Sequence, residues 1–159
     1  MTTPSRAEPS PDLLTADRVR LGVVAADRDD AIDQAGRLLV EAGAIEEPYI
    51  AAMHEREAAM SSYMGEGFAL PHGTDESRRY VRRAAVAFLQ FAQPVEWEDG
   101  EDAHAALAVA ATSDEHIGVL ASLAQVLSDE DSAERLRTTD DVDEVLALLA
   151  PAVDEEDQA

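Results

Sequence analysis

From Ala84 to Phe91 the chain reads AAVAFLQF, and Gln90 is the one polar residue in that run. A strand turns alternate side chains to opposite faces, so a run this apolar has to be covered on both faces. A weaker run of the same kind follows at Ala105 to Ala111. Val19, Leu21 and Val23 alternate with other residues and predict a short first strand. Between the last two strands, Pro94 and the stretch Glu96-Trp97-Glu98-Asp99-Gly100 predict a turn or a short edge strand.

Helical stretches lie before, between and after these strands. Asp27 reads as an N-cap with Asp30 three residues later, and Ile32, Ala35, Leu39 and Ala42 then share a face until Gly43. Pro48 opens a second helix, with Tyr49, Met53 and Met60 along one side and Arg56 on that same side. Asp114 is placed to cap a third helix carrying Ile117, Leu120, Ala124 and Leu127. Ser128 with Asp131 predicts a capping box for a fourth, and Asp140 starts a fifth that Pro151 closes. Tyr63 to Pro71, broken by Gly65 and Gly67, reads as short extended pieces joined by tight turns. The pattern predicts an α/β fold, a three-layer sandwich whose central mixed β-sheet is flanked by helices. One domain is expected over residues 13–150, between a loose tail at 1–12 and an acidic tail at 151–159.

Composition narrows the chemistry. No cysteine is present among the 159 residues, which excludes disulfides, thiolate nucleophiles and cysteine metal sites. No apolar run approaches the ~20 residues that span a bilayer, and the amino-terminal stretch has no signal-peptide core, so a cytoplasmic location is expected. The net charge is -22, and all 12 basic residues are arginine. Such a surface repels nucleic acid and anionic lipid. It suits a saline cytoplasm, where salt screens self-repulsion, while a high-GC genome that favours arginine and alanine over lysine is the alternative source of the all-arginine composition. The thermal midpoint is therefore expected to fall as salt drops below molar levels. A midpoint that is flat from low to high salt in a calorimetric series would reject the saline reading.

Four histidines are available: His54, His72, His104 and His116. His54 and His104 read as structural. His72 lies between Pro71 and Gly73 and precedes Thr74, which suggests a ring held exposed with room beside it for a bulky group. A neutral imidazole is a competent nucleophile near pH 7. His116 falls in the first turn of the third helix, where free backbone N–H groups favour an anion. No HExxH, no G-x-S-x-G and no phosphate loop with lysine occurs, so zinc hydrolase, serine hydrolase and ATP-binding readings lack their residues. No metal and no cofactor is expected.

Two longer stretches carry a resemblance. YIAAMHEREAAMSSYMGEGFALPHGT, from Tyr49 to Thr74, and DEHIGVLASLAQVLSDED, from Asp114 to Asp131, are similar to the enzyme IIA domain, mannitol/fructose class, of the phosphoenolpyruvate-dependent sugar phosphotransferase system. The resemblance spans about Leu13 to Leu149. It implies that His72 carries a phosphoryl group, that His116 and Arg56 support it, and that Glu66 and Thr74 line the same pocket. It implies that the general phosphocarrier protein HPr is the donor. The acceptor is the cysteine of an enzyme IIB, and through it the membrane enzyme IIC moves the sugar. Phosphorylation would take the ring nitrogen remote from the backbone, with a hydrogen bond at the other nitrogen fixing the tautomer. With no cysteine and no membrane segment here, a separate IIA protein is expected. Mannitol is the expected sugar; fructose, or a nitrogen-type regulator acting by phosphorylation-dependent binding, are the alternatives.

Overall fold

The computed structural model describes residues 13–111 and 113–154, without the side chains of 113–117 and 151–154. Residues 1–12 and 155–159, expected as tails, lie outside the described residues. The elements run β1 (Val19–Val23), α1 (Arg28–Glu41), α2 (Pro48–Ala59), β2 (Tyr63–Gly65), β3 (Phe68–Ala69), β4 (Ala85–Glu98), β5 (Glu101–Ala110), α3 (Ser113–Ser128), α4 (Glu130–Thr138) and α5 (Val142–Asp154). Single 3-10 turns occupy Ala16–Arg18 and Glu76–Tyr80.

The strands form a mixed sheet in the order β1-β4-β5-β3-β2. β1 runs parallel to β4 and β3 parallel to β5, while β4/β5 and β2/β3 are antiparallel. The apolar central run does what its lack of alternation requires. Val86 and Phe88, with Leu107 and Val109 of β5, face a core shared with Val119, Leu123, Leu136 and Leu149 from the last three helices. Ala85, Ala87 and Leu89, with Ala106, Ala108 and Ala110, face Ile32, Leu39, Tyr49 and Met53 from α1 and α2. The second face is alanine-rich, so its helices approach closely. They also press on each other: a Cβ on Gly36 of α1 would stand 2.7 Å from Ile50 Cγ1 of α2. The expected three-layer architecture is present.

The helix starts follow local hydrogen bonding. Asp27 accepts from the Asp30 N–H at 2.8 Å, and Asp30 accepts from the Ala26 N–H at 2.9 Å, so the predicted cap closes reciprocally. Gly43 takes φ +76°, the left-handed conformation that ends a helix.

Several boundaries differ from the sequence reading. β4 does not end near Phe91 but runs through Pro94 to Glu98. The proline falls in a register shift between Gln90 and Val95, where a missing N–H breaks no ladder bond. The fourth helix is capped by Asp129, which accepts from the Ser132 N–H at 3.0 Å; Ser128 instead closes α3 by donating to the Ala124 carbonyl. α3 starts at Ser113, so Asp114 is helical rather than the cap. α5 starts at Val142 rather than Asp140, and Asp141 accepts from the Asp143 N–H at 3.0 Å. It continues past Pro151 to Asp154, since proline removes only one backbone bond of the last turn. Met60 is 65 % exposed rather than packed along the apolar side of α2, because it ends the helix in extended conformation.

Candidate functional site

β3 is short, yet its path continues along β5. The Val109 N–H donates to the Pro71 carbonyl at 2.9 Å, and His72 bridges Val109 in parallel register. His72 is therefore fixed on the last rung of the sheet. The expectation of an exposed ring is corrected: the residue is only 8 % exposed, because sheet pairing draws it in.

The ring is oriented by its own chain. His72 Nδ1 lies 2.7 Å from the Leu70 carbonyl oxygen. A carbonyl only accepts, so Nδ1 carries the hydrogen and the lone pair resides on Nε2, the nitrogen remote from the backbone. Burial, the largest effect, holds the His72 pKa below its ordinary value. The Leu70 bond and the Glu57 charge oppose that shift, while the Arg56 and Arg78 charges reinforce it.

Gly73 is needed for close approach. A Cβ there would stand 2.5 Å from Ser77 Oγ and 2.7 Å from Tyr49 Cε1. Tyr49, from the first turn of α2, accepts from the Gly73 N–H at 2.9 Å and donates to the Val109 carbonyl at 3.0 Å. One phenol thus ties α2, the His72 loop and β5 together. Thr74 stands next along the chain and anchors the following turn. Its carbonyl accepts from Ser77 Oγ at 2.7 Å, and its hydroxyl oxygen accepts from the Ser77 N–H at 3.3 Å.

The other expected site residues divide. Arg56 sits half-buried in the last turn of α2, where Nη1 donates to the Met60 carbonyl at 2.6 Å, and its charge acts on His72. His116 lies in the first turn of α3, which begins just after β5 ends at Ala110, one residue past the partner of His72. The start of α3 and His72 thus share one end of the sheet. The His116 side chain lies outside the described residues.

Glu66 does not join them. It occupies the tip of the β2–β3 hairpin at φ +57°, exposed, with its carbonyl accepting from Arg137 Nη1 at 2.8 Å. Phe68 pairs with Ala105 and His72 with Val109, so the tip is more than about 13 Å from His72 along the strand. The glycines either side of Glu66 make the tight turn that holds it at this tip, away from the His72 rung.

Two residues near His72 were not singled out from sequence. Glu57 is buried, accepting from the Ser62 N–H (2.6 Å), Ser62 Oγ (2.7 Å) and Trp97 Nε1 (2.8 Å). Arg78, on the turn after Thr74, is one of four arginines in SRRYVRR, a pattern that does not say which one turns inward. The structural readings of the remaining histidines agree with their contacts. His54 Nε2 is 2.7 Å from Asp33 Oδ1 and joins α2 to α1, while His104 packs against Gly67. Among the described residues no cluster of histidine and carboxylate has the makings of a metal site.

Residues 12–151 match the family model described as phosphoenolpyruvate-dependent sugar phosphotransferase system, EIIA 2. The chain belongs to that family. Among EIIA 2 relatives, it is 42 % identical over 149 residues to a multiphosphoryl transfer protein of Xanthomonas campestris, covering 94 % of this chain and 17 % of that one. It is 36 % identical over 140 residues to the mannitol-specific phosphotransferase enzyme IIA component of Halalkalibacterium halodurans, covering 88 % and 96 %. The chain spans between 17 % and 36 % of the length of the multiphosphoryl transfer proteins it matches. Its fold superimposes at a TM-score of 0.82 on a chain from the complex of enzyme IIAMTL and phosphorylated enzyme IIBMTL of Escherichia coli, at 40 % identity, covering 87 % of this chain and 99 % of that one. The α/β fold with a central mixed sheet is the EIIA fold.

The depressed His72 pKa fixes a pH dependence. Between the unfolded value, about 6.5, and the lower folded value, the unfolded chain binds a proton that the folded one refuses. Stability therefore falls as pH drops through that window, and it is fully regained above about pH 6.5. His72→Asn, which does not titrate there, should lose less stability over the window than the wild type. Equal slopes in denaturant titrations at successive pH values would contradict it.

Proposed function

We propose that this EIIA protein is a cytoplasmic phosphocarrier that takes a phosphoryl group from phospho-HPr on His72 and delivers it to the cysteine of an enzyme IIB. The observation that carries this reading is the Leu70 carbonyl at 2.7 Å from Nδ1, which leaves the nucleophilic lone pair on Nε2 of a ring held neutral by burial. In the first step the Nε2 lone pair attacks phosphorus in line. The bond from phosphorus to the donor histidine breaks, and its electron pair returns to the donor ring. In the second step the partner's thiolate attacks the same phosphorus and the electron pair returns to Nε2. Arg56 and His116, with N–H groups at the start of α3, take the charge that builds on the equatorial oxygens. We assign Thr74 to the rim of this site by its place beside His72.

Mannitol is the sugar we favour, because the relative from Halalkalibacterium halodurans is a mannitol-specific enzyme IIA component and the superimposable E. coli chain belongs to the complex of enzyme IIAMTL and phosphorylated enzyme IIBMTL. The membrane enzyme IIC then acts downstream of the IIB. Among the described residues no helix is long and apolar enough to cross a membrane. The test is to incubate the protein with labelled phospho-HPr and challenge the product. The label should be lost in mild acid and survive base, as a phosphoramidate does. Absence of label, or label that is stable in acid, would reject a phosphohistidine.

A further inference from the structure

Arg78 belongs to the 3-10 turn Glu76–Tyr80, and that turn is held directly against the His72 loop. Ser77 donates from Oγ to the Thr74 carbonyl at 2.7 Å, and Gly73 leaves no space between Ser77 Oγ and the Tyr49 ring. The neighbour of Arg78 in sequence is thus wedged one residue from the reactive histidine. The arginine side chain is only 21 % exposed. Nη2 is held at 2.8 Å by Asp75 Oδ1, from a side chain that is itself 89 % exposed. Nε is buried and makes no hydrogen bond among the described residues. Its charge is felt at His72 and at the Tyr49 phenol, on either side of Gly73.

A buried guanidinium N–H without an acceptor costs stability, so its retention needs a reason. An ion pair to so exposed a carboxylate contributes little and is easily exchanged. A phosphoryl dianion on the adjacent histidine is a stronger acceptor, with three oxygens suited to a guanidinium fork.

We propose that Arg78 is a further phosphoryl-binding residue: when His72 carries its phosphoryl group, the guanidinium exchanges Asp75 for a phosphoryl oxygen. The inference rests on the carrier function proposed above. In the resting protein Asp75 parks the arginine at the rim. In the loaded protein Arg78 and Arg56 share the added charge, which raises the fraction of protein that stays phosphorylated at a given donor ratio.

The experiment compares Arg78→Met, Arg78→Lys and Asp75→Asn with the wild type. Each is equilibrated with labelled phospho-HPr, and the His72 ring is titrated by NMR without donor. Arg78→Met should lower the equilibrium constant for loading about tenfold, the usual worth of a hydrogen bond to a charged group. Arg78→Lys should recover most of that loss, and Asp75→Asn should not lower loading at all. Wild-type loading in Arg78→Met would overturn the proposal. An equal fall in Asp75→Asn would also overturn it, since the ion pair would then be serving the fold. If the wild type itself accepts no label, the carrier function fails and the titration decides the rest. A His72 pKa that rises in Arg78→Met keeps the arginine's charge at the site, and an unmoved one removes it.

Discussion

With His72 replaced by Ala or Asn, the protein should take up no label from phospho-HPr. The nucleophile we propose is a single lone pair on Nε2, and its direction is set by one hydrogen bond from Nδ1 to the Leu70 carbonyl. Asparagine can still offer an N–H toward that carbonyl, so a folded but inert Asn variant separates a lost nucleophile from a lost fold. His116→Ala should behave differently. Its helix starts beside the His72 rung, so its expected role is to take charge from the phosphoryl oxygens. Removing one such donor typically costs ~3 kcal/mol in the transition state, or ~100-fold in rate. Loading from phospho-HPr and delivery to the IIB should slow together, because the same oxygens carry the charge in both steps. Rapid-quench measurement of both steps is the check. Label on the His72 variants would reverse the assignment, and wild-type rates in all the variants would end it.

Glu57→Ala should cost about 3–5 kcal/mol of stability. The carboxylate is buried and accepts from the Ser62 N–H, the Ser62 hydroxyl and the Trp97 indole. Alanine leaves a buried indole N–H and a backbone N–H without acceptors and opens a cavity beside Trp97. For a domain of this size the melting midpoint should fall by about 10 °C. Glu57→Gln is the informative control. Its amide oxygen can replace the carboxylate oxygen that serves both N–H groups, and its amide nitrogen can donate to the Ser62 hydroxyl. That variant should lose about 1 kcal/mol, the excess of a charged acceptor over a neutral one. Equal losses in the two variants, measured by denaturant unfolding, would show that the charge of the carboxylate, rather than packing or neutral hydrogen bonding, holds this corner.

The sheet and its covers were legible because burial leaves a mark in composition: AAVAFLQF admits no solvent on either face. Asp27 and Gly43 were legible because caps are local. Errors arose where a long-range contact overrides a local signal. Pro94 looks like a break, yet a bulge lets β4 continue through it. Met60 fits the apolar side of α2, yet the chain leaves the helix there. In the site, His72, Arg56 and His116 came from motifs, whereas the acceptor for Nδ1 is a main-chain carbonyl that no residue type announces. Glu66 sat close to His72 in sequence, and the extended path between them carried it away. Arg78 was hidden among equals, because only the docking of its turn distinguishes it from Arg79, Arg82 and Arg83.

The pairing of His72 with Val109 bears on how the protein is made. The histidine leaves the ribosome 37 residues before the strand residue that fixes it, and Tyr49 waits 60 residues for the carbonyl its hydroxyl reaches. A nascent chain stopped short of Val109 would hold the local contacts of the His72 loop without the strand that sets its register. Non-local contacts of this kind close late in folding, since loop-closure entropy has to be overcome first. The placement of His72 Nε2 is thus a property of the finished sheet rather than of the local sequence around it.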